Sequence, residues 1–260
     1  MMSFPFILAQ ASYYYGNDYY AGMPGMYSGV TLIGGVILLL TMLIGGAVQM
    51  GLKNAFNRYA QEAAPLTGAE VARRMLRQNG LDDVQVISTA GRLTDHYNPM
   101  DRTVNLSESV YNEASVAAMA VAAHECGHAI QHARAYPWLG MRSSMVPMVN
   151  LGSRLGQIVL LVGLAMLAAG SGTAVAWIGL GLYALTTLFA LVTLPVEFDA
   201  SRRALAWLEQ SGLATRAMHG HAGTALRWAA MTYVAAALSS LAMLLYYALI
   251  ILSRASSNRE

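Results

Sequence analysis

The sequence predicts a mainly α integral membrane protein, with about four transmembrane helices and one compact α+β region that contains a short β element. Three observations predict it. Of 260 residues, 56% are hydrophobic and only 12% are charged, about half the charged share of an ordinary soluble domain. Four segments, residues 30–50, 155–171, 173–194 and 229–252, are long and apolar enough to cross a bilayer. Strand-like alternation is confined to short stretches around Val84 and Val86 and around Val104 and Leu106. The polar remainder is too small to cover four such helices as a soluble core.

Residues 1–29 form a tail rich in tyrosine (Tyr13, Tyr14, Tyr15, Tyr19, Tyr20, Tyr27), a residue suited to the lipid headgroup level. They lack the basic stretch of a secretory signal. Residues 30–50 are the first span, and the polar region 51–154 follows. Within it, Thr67 and Glu70 spell a capping box for a helix through Gln78, which Asn79-Gly80 stops. Two short strands are expected at Val84–Val86 and Val104–Leu106, with Thr94-Asp95-His96-Tyr97-Asn98-Pro99 as a turn between them. Ser115 is the expected N-cap of a helix reaching about Ala133. Residues 155–194 read as a hairpin of two spans turned at Gly170-Ser171-Gly172. The polar segment 195–228 carries Glu197 and Asp199. Residues 229–252 are the last span and 253–260 a tail.

The net charge of +2 says little, but its placement says more. No Lys or Arg precedes the first span, ten lie from Lys53 to Arg154, and four from Arg202 to Arg227. The positive-inside rule puts both basic stretches in the cytoplasm and the N-terminus, hairpin tip and C-terminus outside. That rule accounts for the basic residues, so no nucleic-acid partner is expected; the lipid bilayer is. The single Cys126 excludes an intrachain disulfide and reads as a small core residue.

The expected helix after Ser115 contains His124-Glu125-Cys126-Gly127-His128. Histidines four residues apart project from one helix face, where both can reach one metal ion, and the Glu between them can take a proton from a bound water. This is the pattern of metal-assisted amide hydrolysis. A third ligand is required. The position six residues after His128 is Arg134, and His132 lies too far along a straight helix to join both others on one ion, so it reads as a surface or supporting residue. Glu197 is the leading candidate, because a carboxylate at the edge of an apolar span is costly unless paired or metal-bound. Asp199 is the alternative ligand, though a hydrogen bond to a ligating His suits it better. His219 and His221 read as exposed loop residues rather than a second metal pair.

The runs Leu93-Thr94-Asp95-His96-Tyr97-Asn98-Pro99, Val104-Asn105-Leu106-Ser107 and Val121-Ala122-Ala123-His124-Glu125-Cys126-Gly127-His128-Ala129-Ile130-Gln131 closely resemble the YugP-like family of bacterial membrane zinc metallopeptidases. Leu194-Pro195-Val196-Glu197-Phe198-Asp199-Ala200-Ser201-Arg202-Arg203 and Ala229-Ala230-Met231-Thr232-Tyr233-Val234-Ala235-Ala236-Ala237 look like its later blocks. The resemblance implies a zinc-dependent endopeptidase of gluzincin type with a cytoplasmic zincin-like α+β catalytic region. It also implies one Zn2+ per chain on His124, His128 and Glu197, with Glu125 as general base. More distantly the chain resembles the HtpX and CAAX-protease group, which places an Asp four residues after the downstream Glu; here that position is Ser201. The residue orienting a ligating His is therefore open, with Asp199 the candidate.

His96 and Tyr97 are candidates to donate to the oxyanion of the tetrahedral intermediate. Substrate is expected to add as a strand to the edge of the Val104–Leu106 strand. The expected substrates are proteins or peptides, membrane proteins among them, cleaved on the cytoplasmic side of a bacterial plasma membrane. The rival readings are an intramembrane site-two-type protease and a non-catalytic metal-binding membrane scaffold. The sequence leaves oligomeric state open.

Overall fold

The computed structural model describes residues 27–257; the tail up to residue 26 and the last three residues lie outside them. The order is α1 (Tyr27–Tyr59), α2 (Gly68–Gln78), β1 (Gln85–Thr89), β2 (His96–Asn98), β3 (Thr103–Ser107), α3 (Glu108–Asn112), α4 (Val116–Ala133), α5 (Pro137–Ala168), α6 (Thr173–Gln210) and α7 (Arg216–Ser257). Four of these helices, α1, α5, α6 and α7, are long and apolar enough to cross a membrane. The protein is mainly α with one small sheet, as the sequence predicts.

The capping box opens α2: the Thr67 N–H donates to the Glu70 carboxylate at 2.8 Å, and the Glu70 N–H donates back to the Thr67 hydroxyl at 3.3 Å. Those bonds hold the Glu70 carboxyl below its usual range. Val71, Ala72, Met75 and Leu76 recur at helical spacing and are buried in the core shared with α4. Asn79 caps the end, and Gly80 takes the left-handed conformation (φ 71°) that turns the chain toward β1. Ser115 caps α4 through the Ala118 N–H at 3.2 Å. The Glu62 carbonyl, just beyond α1, accepts the Val116 N–H at 2.9 Å and so ties the first span to the start of α4.

The sheet departs from expectation in two ways. Residues His96–Asn98 form a strand, not a turn, pairing antiparallel with β3 so that Tyr97 lies opposite Val104. The turn sits one step later. There Asn98 bonds the Met100 N–H at 3.0 Å and Asp101 at 2.7 Å, and Arg102 takes φ 52°. Burying the Tyr97 ring stabilises the strand against the turn propensity around it. Second, β3 is central, with β1 parallel on one side and β2 antiparallel on the other. The Val104–Leu106 strand has no open edge, so the expected docking of substrate along it is corrected; the edge strands are β1 and β2.

α5 and α6 form a tight antiparallel hairpin around Gly172, which has φ 75°. Small residues set its register: a Cβ at Gly163 would strike the Ala176 backbone, and one at Gly179 the Leu160 backbone. α6 does not stop where its apolar segment ends. It runs on through Pro195 to Gln210, carrying Glu197 and Asp199 on the same helix as the span. α7 joins this pair through the Thr187–Ser240 hydroxyl contact at 2.7 Å and the edge-to-face Tyr183–Tyr247 rings.

Replacing Gly179 by Val should push the hairpin apart and cost about 1–3 kcal/mol, the usual range for overpacking. Thermal unfolding in detergent should show a lowered midpoint for that variant and little change for Gly181→Ala, whose added Cβ meets nothing within 4 Å.

Candidate metal centre

The site forms where α4 crosses α6. Gly127 makes the crossing possible, because a Cβ there would lie 2.6 Å from the Ala200 carbonyl oxygen. That approach brings Glu197 onto the face of α4 that carries His124 and His128. Ligand atoms of the three residues all lie within 4.8 Å of one another. Glu197 Oε2 is 3.3 Å from His124 Nε2 and 3.6 Å from His128 Nε2. Ligands about 2.0–2.1 Å from a tetrahedral ion sit roughly 3.3–3.5 Å apart, so the donor set fits zinc. Glu197 and His128 are buried, and His124 is partly exposed.

Each imidazole is oriented through its other nitrogen. His124 Nδ1 meets the Ser201 hydroxyl at 3.1 Å, and His128 Nδ1 meets the Gln131 amide oxygen at 3.0 Å. The Gln131 amide nitrogen donates to the Val196 carbonyl at 2.8 Å and to Asp199 at 2.9 Å. Gln131 must therefore present its oxygen to His128, so the His128 proton sits on Nδ1 and Nε2 keeps its lone pair for a metal. Asp199 is held by Arg202 at 2.7 Å and Arg203 at 2.5 Å and reaches His128 only through Gln131. Ser201 occupies the orienting place beside His124.

Glu125 is buried next to this group. Burial is the main cause lifting its carboxyl to about 7; the His124 ring opposes the rise, and the charges of Glu197 and Asp95 add to it. A carboxyl with that pKa is suited to exchanging protons near neutral pH. Asp95 itself anchors the end of β3, accepting the Ser107 N–H at 2.8 Å and its hydroxyl at 3.0 Å. Burial raises the Asp95 carboxyl against those bonds.

Four residues at the site lay outside the candidates read from sequence. Arg142, from the first turns of α5, places its guanidinium 3.6 Å from Glu197 Oε1, the oxygen turned away from the histidines. The Tyr233 phenol of α7 lies beside the same carboxylate. Gln131 and Ser201 complete the set. Only Gln131, three residues after His128 on the same helix face, carried a local signal.

The remaining candidates lie outside the metal-capable group, although the Tyr97 backbone N–H donates to the Glu125 carboxyl. The Tyr97 hydroxyl is engaged by His132 Nδ1 at 2.8 Å, and His96 Nδ1 by the Thr94 carbonyl at 2.7 Å. His132 lies outside the metal-capable group. Cys126 is fully buried with its thiol toward the Ala72 carbonyl, and burial pushes that thiol well above its usual range. His219 and His221 are not in a loop but in α7. His221 pairs with Glu62 at 2.7 Å and stacks on Tyr59, while His219 meets the Leu205 carbonyl at 3.2 Å.

A family model described as "Putative neutral zinc metallopeptidase" matches residues 35–252. A protein of Bacillus subtilis (strain 168) described as "Putative membrane protease YugP" is 41% identical over 212 residues, covering 81% of this chain and 92% of that one. No solved structure matches the chain. The chain belongs to this zinc metallopeptidase family.

The raised Glu125 carboxyl has a consequence for the metal-free protein. Its contribution to stability is complete below about 4.5, its unfolded value, and is lost as pH rises through about 7. Glu125→Gln removes that loss. In chelator, the variant's unfolding free energy relative to wild type should therefore grow between pH 4.5 and 8.5, by up to about 3 kcal/mol. A difference that stays flat with pH would show that Glu125 titrates normally.

Proposed function

We propose that this member of the family is a membrane-embedded endopeptidase that holds one Zn2+ on His124, His128 and Glu197 and uses Glu125 as general base. The observation that carries the reading is the convergence of two imidazole nitrogens and one carboxylate oxygen within 4.8 Å, with a buried carboxyl lifted to about 7 beside them. Bound there, zinc would supply Lewis acidity to polarise the scissile carbonyl and activate a water. Glu125 takes the proton of the attacking water and passes it to the leaving amine nitrogen. Gln131 and Ser201 hold the two imidazoles in their ligating tautomer, with Asp199 positioning Gln131. Arg142 and Tyr233 steady Glu197 and offer donors to the carbonyl oxygen as it gains charge. His96 and Tyr97 suit that task less well, since a ring nitrogen of one and the hydroxyl of the other are already bound.

Substrate backbone would pair with β2, the edge strand that packs its Tyr97 hydroxyl onto α4 through His132. Depth favours interfacial rather than intramembrane cleavage. Glu197 lies on one helix with Thr173, about 36 Å further along, whereas the hydrocarbon core is about 30 Å thick. The site therefore sits at the membrane surface opposite the α5–α6 turn. Lys53, Arg58, Arg202, Arg203 and Arg227 share that end of the bundle, which by the positive-inside rule is cytoplasmic. The bacterial plasma membrane is the setting this implies, with membrane-protein tails and fragments as the substrate class.

Glu125→Gln should retain bound metal and cut cleavage of a quenched fluorescent peptide by about 10²–10⁴-fold, the usual worth of a general base. Cleavage at the wild-type rate by the metal-loaded variant would remove Glu125 from that role. Gln131→Leu should weaken zinc binding by about 10–100-fold, read by competition with a chromogenic chelator.

A further inference from the structure

A group of polar side chains on α5 takes no part in the site. Asn150, Ser153, Arg154 and Gln157 are spaced three and four residues apart and share one flank of the helix. Asn150 and Arg154 are exposed, Ser153 and Gln157 half-buried. Among the described residues none of the four side chains has a hydrogen-bond or ion-pair partner. Their surroundings are apolar and outward-facing: Leu151, Leu155 and Ile158 are 66%, 49% and 60% exposed. The adjoining flank is the one packed on α6, through Gly152, Gly156 and Leu160.

The sequence places Arg154 at the cytoplasmic edge of the second span, but the helix begins at Pro137 and the hairpin register sets this residue deeper. Gly152 faces Leu185 and Gly156 faces Leu182, so Arg154 is level with the stretch between them. Leu185 stands midway along α6 between Thr173 and Glu197, about 18 Å of helix from each. In a core about 30 Å thick, that puts the Arg154 backbone near the centre of the bilayer, with its guanidinium within one side chain's reach of it. A cation facing hydrocarbon there is costly, and intramembrane ionisable residues are characteristically paired. Snorkelling relieves an arginine close to a helix end, which this one is not.

The missing anion does not come from a second copy. No Asp or Glu occurs in residues 30–50, 137–194 or 211–257, so this chain carries no carboxylate to that depth. A phospholipid phosphate would have to leave the headgroup layer to arrive. We propose that this flank of α5 docks a partner transmembrane segment bearing an aspartate or glutamate near its middle. The guanidinium of Arg154 receives the carboxylate in a paired hydrogen bond, and the amides of Asn150 and Gln157 bond the partner's remaining polar groups. Such docking rests on the proposed placement of α5 and α6 across the membrane with Glu197 near its surface, but not on the peptidase chemistry.

The test uses the full chain, donor-labelled, in phosphatidylcholine vesicles with acceptor-labelled leucine-rich single-span peptides that carry Asp, Asn or Leu at the centre. Energy transfer should show the Asp peptide associating at about tenfold lower peptide-to-lipid ratio than the Leu peptide. Arg154→Leu should abolish that advantage and Arg154→Lys should keep part of it, both with wild-type thermal midpoints. Equal association of the Asp and Leu peptides with wild type overturns the proposal, and that comparison needs no variant to fold. Self-association of the chain lost in Arg154→Leu, without discrimination among peptides, would make the flank an oligomer interface and also overturn it. Arg154-dependent retention of phosphatidylglycerol with no peptide preference would assign the anion to lipid and overturn it as well.

Discussion

A single buried carboxylate organises this molecule. Glu197 is 3% exposed and sits just past the apolar segment of α6, a place where an unpaired charge would be ruinous. Its two oxygens divide the work: one faces the imidazoles of His124 and His128, the other the guanidinium of Arg142. Those partners arrive on α4 and α5, while α7 brings Tyr233. Keeping Glu197 compensated therefore requires four helices to hold one register. The small residues of the structure sit where that register is set, at Gly127 against Ala200 and at Gly163 and Gly179 in the hairpin.

The helices do more than anchor the site. α6 continues unbroken from its apolar segment into the polar segment, so Glu197 and Ser201 are fixed to the same rod that packs against α5. α1 is tied in at the start of α4, through the Glu62 carbonyl on the Val116 N–H and the Glu62–His221 pair. Metal-binding groups held this way lose little freedom when an ion arrives, which is the physical basis of preorganisation. The arrangement also sets the metal-capable group just beyond the apolar segment of α6.

Legibility from sequence followed the range of each interaction. The α4 motif, the Thr67 and Ser115 caps and the apolar spans are local patterns, and each reappears in the structure. Glu197 was legible for a different reason: a charge at the edge of an apolar run must be explained by something. The strand at His96–Asn98 was hidden because turn-forming residues surround it, and its stability comes from pairing with β3, which no local pattern reveals. Arg142 and Tyr233 were hidden likewise. Each looks like an ordinary side chain on its own helix, and only the register of the α5–α6 and α6–α7 pairs brings them to Glu197. Ser201 was visible only as a departure from a distant pattern, and the structure gives it a job beside His124.

Metal content measured by plasma mass spectrometry on detergent-purified protein tests most directly whether Glu197 completes a zinc site. Wild type, Glu197→Ala and Asp199→Ala should be compared at equal thermal stability. Wild type should hold about one zinc per chain and Glu197→Ala should lose it, while Asp199→Ala should keep it at weakened affinity, because Asp199 acts through Gln131. Full zinc occupancy in Glu197→Ala together with loss in Asp199→Ala would contradict this, making Asp199 the third ligand and Glu197 a bystander.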